Sequence, residues 1–132
     1  MREIIFYRTE TGKCPVEEYL DSLSDKQAEK VFFVLDIVEK FELVPSKFLK
    51  KLEATDNIWE IRVQQGNDIF RLLGFFDGEQ LIVLNHAFTK KSQKTPPKEI
   101  KTAEQRKKDY YLRHDGVSNE RFSKVQSKTD GE

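Results

Sequence analysis

The sequence of 132 residues contains few of the residue types that form covalent cross-links or sulfur-based metal sites. Cys14 is its only cysteine, which excludes an internal disulfide and a cysteine-based zinc site. Chains without disulfides are typical of reducing compartments, so we expect a cytoplasmic protein. No apolar run is long enough for a membrane span, and the N-terminus lacks a signal-peptide pattern. We therefore expect no membrane partner.

The chain also lacks net charge, and that total alone argues against a nucleic-acid-binding protein. The charges are, however, unevenly distributed. Residues 1–45 carry 6 positive and 10 negative side chains, a net charge of −4, whereas residues 46–113 carry 14 and 9, a net charge of +5. Residues 114–132 carry 3 and 4, a net charge of −1. An acidic half joined to a basic half indicates that one side of the protein faces a polyanion.

The length and the periodicity of the sequence predict one domain with a short extension. Hydrophobic residues make up 37% of the chain, enough for one modest core. Beyond Arg113 the sequence is polar and has no periodicity, apart from a possible short helical piece around residues 119–125. We therefore predict a folded domain over residues 1–113 and a flexible tail over residues 114–132.

The middle of the chain predicts a sheet built from consecutive hairpins. Three apolar segments rich in strand-forming residues span Ile58–Gln64, Ile69–Phe76 and Gln80–Phe88. Gly66-Asn67 separates the first two segments and Asp77-Gly78 separates the last two. Both pairs suit tight turns that require positive φ, so the three segments are predicted to form two hairpins.

The first hairpin brings two like charges together. If Gly66-Asn67 forms a two-residue turn, Arg62 lies directly opposite Arg71, while the apolar residues beside them face the other surface. Like charges opposed across a ladder are destabilising. Such a pair requires either a carboxylate, for which Glu60 and Asp68 are candidates, or a bound anion.

The segments before this sheet predict a strand and two helices. Glu3–Tyr7 is a strand candidate too uniformly apolar for an exposed edge. A short helix follows Pro15, and Ser24 with Gln27 forms a capping box for a longer helix that ends before Pro45. Both helices carry apolar stripes, so they are predicted to pack as a hairpin on one face of the sheet. Residues 46–56 connect this hairpin to the sheet.

The segment after the sheet is basic. Thr95 is predicted to cap a helix whose first residue is Pro96. Residues 90–108 contain eight basic side chains against only Glu99 and Glu104. This density fits contact with a phosphate backbone, and the alternative is a solvated helix face.

In this order the segments resemble toxins of the RelE/ParE superfamily and, more narrowly, the phage-type HigB branch. The resemblance covers residues 1–111 and rests on the segments LEATDNIWEIRV, DIFRLLGFF and EQLIVLNHAFTKKSQKTPPKEIKTAEQRKKDY. It implies an α/β fold of the α+β type: a small twisted, mostly antiparallel sheet, an N-terminal helical hairpin on one face and a C-terminal basic helix. It also implies the toxin of a type II toxin–antitoxin system, an mRNA endoribonuclease (an mRNA interferase) that acts on ribosome-bound mRNA without a metal or cofactor and inhibits translation.

The resemblance implies partners as well. These are a cognate helix-turn-helix antitoxin, mRNA with the ribosome, and operator DNA bound through the toxin–antitoxin complex. Two alternatives remain open at this stage: a ParE-like inhibitor of DNA gyrase, and a degenerate phage protein that binds only antitoxin or DNA.

RNA cleavage by the neighbouring 2′-hydroxyl needs cations for the developing charge and groups that move two protons. Arg62 and Arg71 are our candidates for the cationic role, because guanidinium binds two phosphate oxygens at once. A turn centred on Gly78-Glu79 would set His86 opposite Arg71, where cations would lower its pKa and favour a neutral base. Lys90 is the fourth catalytic candidate.

Six further residues are candidates for substrate binding. Lysines would contact phosphates, Phe88 would stack on a base or else close the core, and Tyr110 or its neighbour Tyr111 would stack on a base while the other packs inside. Glu60 is a conceivable base that could instead pair with an arginine. The substrate-binding candidates are Lys51, Phe88, Lys91, Lys94, Lys98 and Tyr110.

Overall fold

A computed structural model describes residues 1–90 and 94–125, with side chains described as far as residue 114. The elements in chain order are β1 (Glu3–Phe6), α1 (Pro15–Asp21), α2 (Asp25–Lys40), β2 (Leu49–Lys51), β3 (Trp59–Gln65), β4 (Asp68–Asp77), β5 (Leu81–Lys90) and α3 (Pro97–Val125). The five strands form one sheet in the order β1-β5-β4-β3-β2. Only β1 and β5 are parallel, which confirms the predicted α+β fold with a mostly antiparallel sheet. Among the helices of these described ranges, none combines the length and apolarity that a membrane span requires.

The first predicted hairpin has the expected register. Gln65 pairs with Asp68, so Gly66 and the next residue form the turn, and Gly66 adopts a φ of 62°. Arg62 consequently lies opposite Arg71. The turn length alone fixes this register, because each added residue would move every side chain to the other face.

The second hairpin differs from the prediction in two places. Its loop has three residues, 78–80, and Asn85 forms a β-bulge on β5. Each irregularity shifts the pairing by one residue, so Arg71 lies opposite Phe88 rather than His86. The predicted pairing of His86 with Arg71 is therefore wrong, and His86 lies two residues back along β5 on the same face as Phe88.

Helices α1 and α2 cover one face of the sheet, as predicted. The capping box is present: the Ser24 hydroxyl accepts from the Gln27 N–H at 3.2 Å, and the Gln27 side chain accepts from the Ser24 N–H at 3.0 Å. The main core lies between these helices and the sheet. Its buried members are Val16, Leu20, Val31, Val34, Leu35, Val38, Leu49, Ile61, Val63, Phe70, Leu72, Ile82 and Leu84.

Strand β1 lies at an edge of the sheet, which corrects the expectation drawn from its apolar composition. Helix α2 covers part of that edge. The Ile4 N–H donates to the carboxylate of Glu39 at 3.0 Å, and the Arg2 N–H donates to the Glu39 carbonyl at 2.9 Å. A strand with its outer donors occupied in this way tolerates apolar residues at an edge.

Helix α3 covers the opposite face. Its inward side carries Ala103 and Tyr110, both buried, and the partly buried Ile100, as the sequence predicted. The helix begins at Pro97, with the Pro96 carbonyl accepting from the N–H groups of residues 99 and 100. It extends to Val125, beyond the boundary predicted at residue 113. The division into a domain and a tail stays a prediction.

Candidate active site

A buried polar cluster lies between the sheet and the start of α3. Glu60 on β3, Arg71 on β4 and Thr95 before α3 are 1%, 0% and 8% exposed. Arg71 Nη1 donates to Glu60 Oε2 at 3.3 Å and to Thr95 Oγ1 at 3.0 Å. The Thr95 hydroxyl in turn donates to the same Glu60 oxygen at 2.5 Å. The three side chains thus form a closed ring of hydrogen bonds.

Arg62 extends this cluster towards solvent. Its Nη2 and Nε atoms lie 3.1 and 3.3 Å from Glu60 Oε1, and its side chain is 25% exposed. The carboxylate of Glu60 therefore separates the two opposed arginines by binding one with each oxygen. Of the partners considered from the sequence, Glu60 rather than Asp68 supplies the negative charge.

Burial lowers the pKa of Arg71, and the charge of Arg62 lowers it further, while the neighbouring Glu60 carboxylate raises it. Arginine nevertheless remains protonated in proteins. The cluster of two guanidinium groups and one carboxylate therefore keeps a net positive charge. Arg62 carries the part of that charge that reaches the surface.

Arg62 opens into a groove of about 360 Å³. Basic side chains from β2 and from the segment before α3 form its walls, and apolar side chains form its floor. A single carboxylate lines it among the described residues, that of Glu53. The lining residues are Lys50, Leu52, Glu53, Arg62, Lys94, Thr95 and Ile100. Three cations with one accessible carboxylate suit the binding of a phosphodiester next to a proton acceptor.

A family model described as Phage derived protein Gp49-like (DUF891) matches residues 18–108, more than half of the chain and all of the groove. The chain belongs to the Gp49-like family. This phage-derived family is one of the RelE/HigB-type toxin families, whose RelE-type members are ribonucleases. The family therefore points to a toxin with an antitoxin partner. No curated protein matches the chain.

In this Gp49-like fold Lys50 and Lys51 lie on opposite faces of the sheet. Lys51 pairs with Trp59 and lies on the helical-hairpin face, whereas Lys50 pairs with Glu60 on the face of the groove. Lys51, predicted to bind substrate, is therefore absent from the groove, and Lys50 lines it. Residues 49–51 were expected to belong to a connecting segment rather than to a strand, so the alternation of the two lysines could not be assigned.

His86 lies in a separate polar network beneath α3. Its Nε2 is 2.6 Å from Glu99 Oε1, and its Nδ1 is 3.3 Å from Arg106 Nη1. Because arginine only donates, Nδ1 must accept and Nε2 must carry the proton that Glu99 accepts. Burial lowers the pKa of His86 against the opposing effect of Glu99, and Arg106 lowers it further. Burial and Arg106, rather than Arg71, therefore favour the neutral state predicted for His86. Protein partners occupy both of its ring nitrogens.

Two aromatic candidates for substrate binding lie in the core. Phe88 is 9% exposed and packs against Leu52, Ile58 and other apolar residues. Tyr110 is 6% exposed and its hydroxyl donates to Asp77 at 2.7 Å. Tyr110 lies roughly 20 Å along α3 from the start of that helix, at the far end of the sheet from the groove. Both side chains are therefore packed in the interior, and neither lines the groove.

The remaining lysine candidates are Lys90, Lys91, Lys94 and Lys98, and they differ in their relation to the groove. Lys94 lines it, and Lys90, at the exposed end of β5, lies on the same face of the sheet as Arg71. Lys98 is exposed in the first turn of α3 but is not part of the lining. Lys91 lies outside the described residues. No group of three or more histidine, cysteine, aspartate or glutamate side chains within the described ranges could hold a metal ion.

Sequence reasoning missed the contacts of Thr95 with Glu60 and Arg71, and the placement of Glu53 in the groove. Thr95 was expected to cap α3, but its hydroxyl donates to Glu60 instead, and the helix begins one residue later than predicted. Apart from its expected place as a helix cap, Thr95 was marked in the sequence only by its position before Pro96 in a segment that carries the family resemblance. Glu53 likewise lies in the Leu52-Glu53 motif that carried the resemblance.

Proposed function

We propose that this Gp49-like protein is the toxin of a type II toxin–antitoxin pair, of the HigB branch, and that it cleaves ribosome-bound mRNA and thereby inhibits translation in the cytoplasm. The observation that carries the proposal is the groove that Arg62, Lys50 and Lys94 line together with Glu53, its single carboxylate among the described residues. This arrangement matches the needs of RNA cleavage through the 2′-hydroxyl.

In that reaction the 2′-oxygen attacks the adjacent phosphorus and forms a new P–O bond. The bond from phosphorus to the 5′-oxygen of the next nucleotide breaks. One proton leaves the 2′-hydroxyl for a base, and another reaches the departing 5′-oxygen from an acid. The products are a 2′,3′-cyclic phosphate and a 5′-hydroxyl, and no external reductant, oxidant or cofactor is needed.

Arg62 is the residue that we assign to the developing charge on phosphorus. Its guanidinium is fixed by Glu60 on one side and reaches the groove on the other, so it is oriented before substrate arrives. Lys50 and Lys94 supply further positive charge. Fixed cations at a partly dry surface stabilise charge more than mobile ones in water.

Glu53 is our candidate for the base. Glu60 is unsuitable, because it is buried and donors from Arg62, Arg71 and Thr95 occupy both of its oxygens. Glu53 is exposed and lines the groove. A lysine of the groove, Lys50 or Lys94, would donate a second proton to the leaving oxygen.

The buried Arg71 takes a positioning role in this scheme. It has no exposed surface and it binds both Glu60 and Thr95, which together hold Arg62 and the start of α3. We place operator DNA and a helix-turn-helix antitoxin as partners of the toxin in its complex. His86, Phe88 and Tyr110 have no part in the chemistry.

The experiment that tests the proposal is a primer-extension map of cellular mRNA after brief induction. The proteins compared are the wild type, Arg62→Ala, and Arg8→Ala as a matched control at an exposed arginine outside the groove. Circular dichroism first establishes that all three are folded. We expect cuts within translated frames for the wild type and the Arg8 variant, and none for the Arg62 variant.

Two outcomes would overturn the proposal. Growth arrest by the wild type without any cut would favour a ParE-like inhibitor, which a DNA gyrase supercoiling assay would then identify. Absence of both arrest and cuts would favour a protein that only binds antitoxin or DNA.

A further inference from the structure

We propose that a second groove, on the other side of Arg62, binds the backbone of the single-stranded RNA that flanks the cleaved bond. This inference rests on the proposed function and extends it with a second subsite. The groove has a volume of about 460 Å³. Its lining residues are Lys30, Val34, Lys47, Phe48, Arg62 and Gln64.

The second groove adjoins the first, since Arg62 lines both. Strand β2 spans only three residues and pairs with β3 no further than Ile61. Beyond that point β3 is an edge of the sheet. The residue before β2, Phe48, still contacts it, because the Arg62 N–H donates to the Phe48 carbonyl at 2.9 Å. The groove passes around this edge, from the face of the buried cluster to helix α2.

The charge of the groove matches a phosphate backbone. Three of its six lining residues are cations, and none of those six is acidic. This differs from the N-terminal part of the chain as a whole, where residues 1–45 have a net charge of −4. Lys30 on α2 therefore adds a basic residue to the lining of the groove from a part of the chain with a net negative charge. A line of cations from Lys30 through Arg62 to Lys94 would follow successive phosphates of one strand.

Local contacts hold one of these cations in place. The Lys47 ammonium lies 5.0 Å from the centroid of the Phe48 ring, and Phe48 itself packs partly against the main core. A lysine held over an aromatic ring loses less freedom on binding an anion than a lysine free in solvent. Val34 and Phe48 offer apolar walls for ribose and base, and Gln64 offers an amide that can pair with either.

The test measures RNA binding separately from cleavage. Fluorescence anisotropy follows a twelve-nucleotide RNA and a dinucleotide, each with 2′-deoxyribose at the position of the cut so that neither is cleaved. The variant is Lys30→Ala/Lys47→Ala. The control is Lys13→Ala/Lys40→Ala, which removes the same charge from two exposed lysines outside both grooves.

We expect the groove variant to lose affinity for the longer RNA and to bind the dinucleotide as the wild type does. Two lost phosphate contacts should lower the slope of log K against log salt by about 1.4, since each contact on a single strand contributes about 0.7. The control variant should keep the wild-type slope. Equal salt slopes in the groove variant and the control variant would overturn the second groove. So would a loss of affinity for the dinucleotide as large as the loss for the longer RNA.

The cleavage assay separates this inference from the proposed function. Cleavage of mRNA by the wild type together with equal slopes would overturn the second groove and retain the nuclease. A lower slope in the groove variant alone, without cleavage by any protein, would retain the groove and overturn the nuclease. No binding of either RNA by the wild type would overturn the groove directly.

Discussion

Glu60 on β3 and Arg71 on β4 are diagonal neighbours across the ladder, and both are almost completely buried, with Glu60 Oε2 3.3 Å from Arg71 Nη1. Removing two charges from water costs several kcal/mol per ion, and only close pairing offsets that cost. Glu60 provides this pairing for Arg71 with one oxygen and orients Arg62 with the other. The same carboxylate therefore supports the fold and positions the charge of the groove.

Glu60→Gln should lower the free energy of unfolding by about 3–5 kcal/mol. The amide keeps the shape of the side chain but leaves the Arg71 guanidinium buried without its counter-charge. Urea denaturation monitored by circular dichroism measures the change. Glu53→Gln is the matched control, since Glu53 is exposed, and its unfolding midpoint should equal that of the wild type. Equal midpoints for all three proteins would contradict the role given to Glu60.

Glu53→Gln should instead lower the rate of RNA cleavage, by about 10²–10⁴-fold if Glu53 is the base of the proposed reaction. Glu53→Asp should recover part of the rate, because it restores a carboxylate at a slightly different distance. Single-turnover cleavage of RNA on programmed ribosomes is the measurement. A rate in the Gln variant equal to that of the wild type would exclude Glu53 as the base and redirect attention to the groove lysines.

The parts of the fold that the sequence predicted are those set by short-range rules. A two-residue turn at Gly66-Asn67 determined the opposition of Arg62 and Arg71, and a capping box at Ser24 determined the start of α2. In both cases residues close together in sequence decide the geometry. The face of the sheet that carries the two arginines followed from alternation alone.

The parts that could not be predicted depend on contacts between distant segments. The bulge at Asn85 accompanies the packing of that side chain under α3, where its amide donates to the Ala103 carbonyl at 2.9 Å. Similarly, the orientation of Lys50 depends on its pairing with Glu60 across a strand of only three residues. Nothing within either local sequence signals these partners, so the predicted pairing of His86 with Arg71 was wrong and the faces of Lys50 and Lys51 could not be assigned.

Gly74 lies next to the bulge, and the structure leaves no space there for a side chain. A Cβ at this position would lie 2.1 Å from the Val83 carbonyl oxygen and 2.9 Å from Leu84 Cα. Both atoms belong to the backbone of the neighbouring strand and cannot move aside without disturbing the ladder.

Gly74→Ala should therefore lower the free energy of unfolding by at least about 1–3 kcal/mol, the usual cost of overpacking. Gly66→Ala is the comparison, because nothing lies within 4 Å of its Cβ and the only cost is the positive φ of 62°. That cost is about 1–2 kcal/mol. Thermal unfolding should rank the stabilities as wild type, Gly66→Ala and Gly74→Ala in falling order, and a reversal of the two variants would contradict the close approach at the bulge.

His86 should make stability depend on pH. Its pKa in the folded protein lies below the ordinary 6.5, chiefly because of burial, and Arg106 opposes a second ring proton. The unfolded chain, with a pKa near 6.5, therefore binds more protons than the folded protein between the two values. The free energy of unfolding consequently rises with pH in this window. The contribution of neutral His86 is complete above pH 6.5 and is lost as pH falls towards the folded pKa.

His86→Gln removes this titration, so the stability difference between the wild type and the variant should shrink as pH falls below 6.5. Urea unfolding at a series of pH values on both sides of 6.5 measures the difference, with unfolding monitored by circular dichroism. His114→Gln is the control, since it removes the other histidine and leaves the network of Glu99 and Arg106 intact. The loss of stability that His86 causes on acidification should remain in this variant. The difference in unfolding free energy between the wild type and the His86 variant could instead stay constant or widen on acidification. That result would mean that the surroundings of His86 do not hold it neutral. A protein with a buried neutral imidazole must lose stability where the unfolded chain binds a proton first.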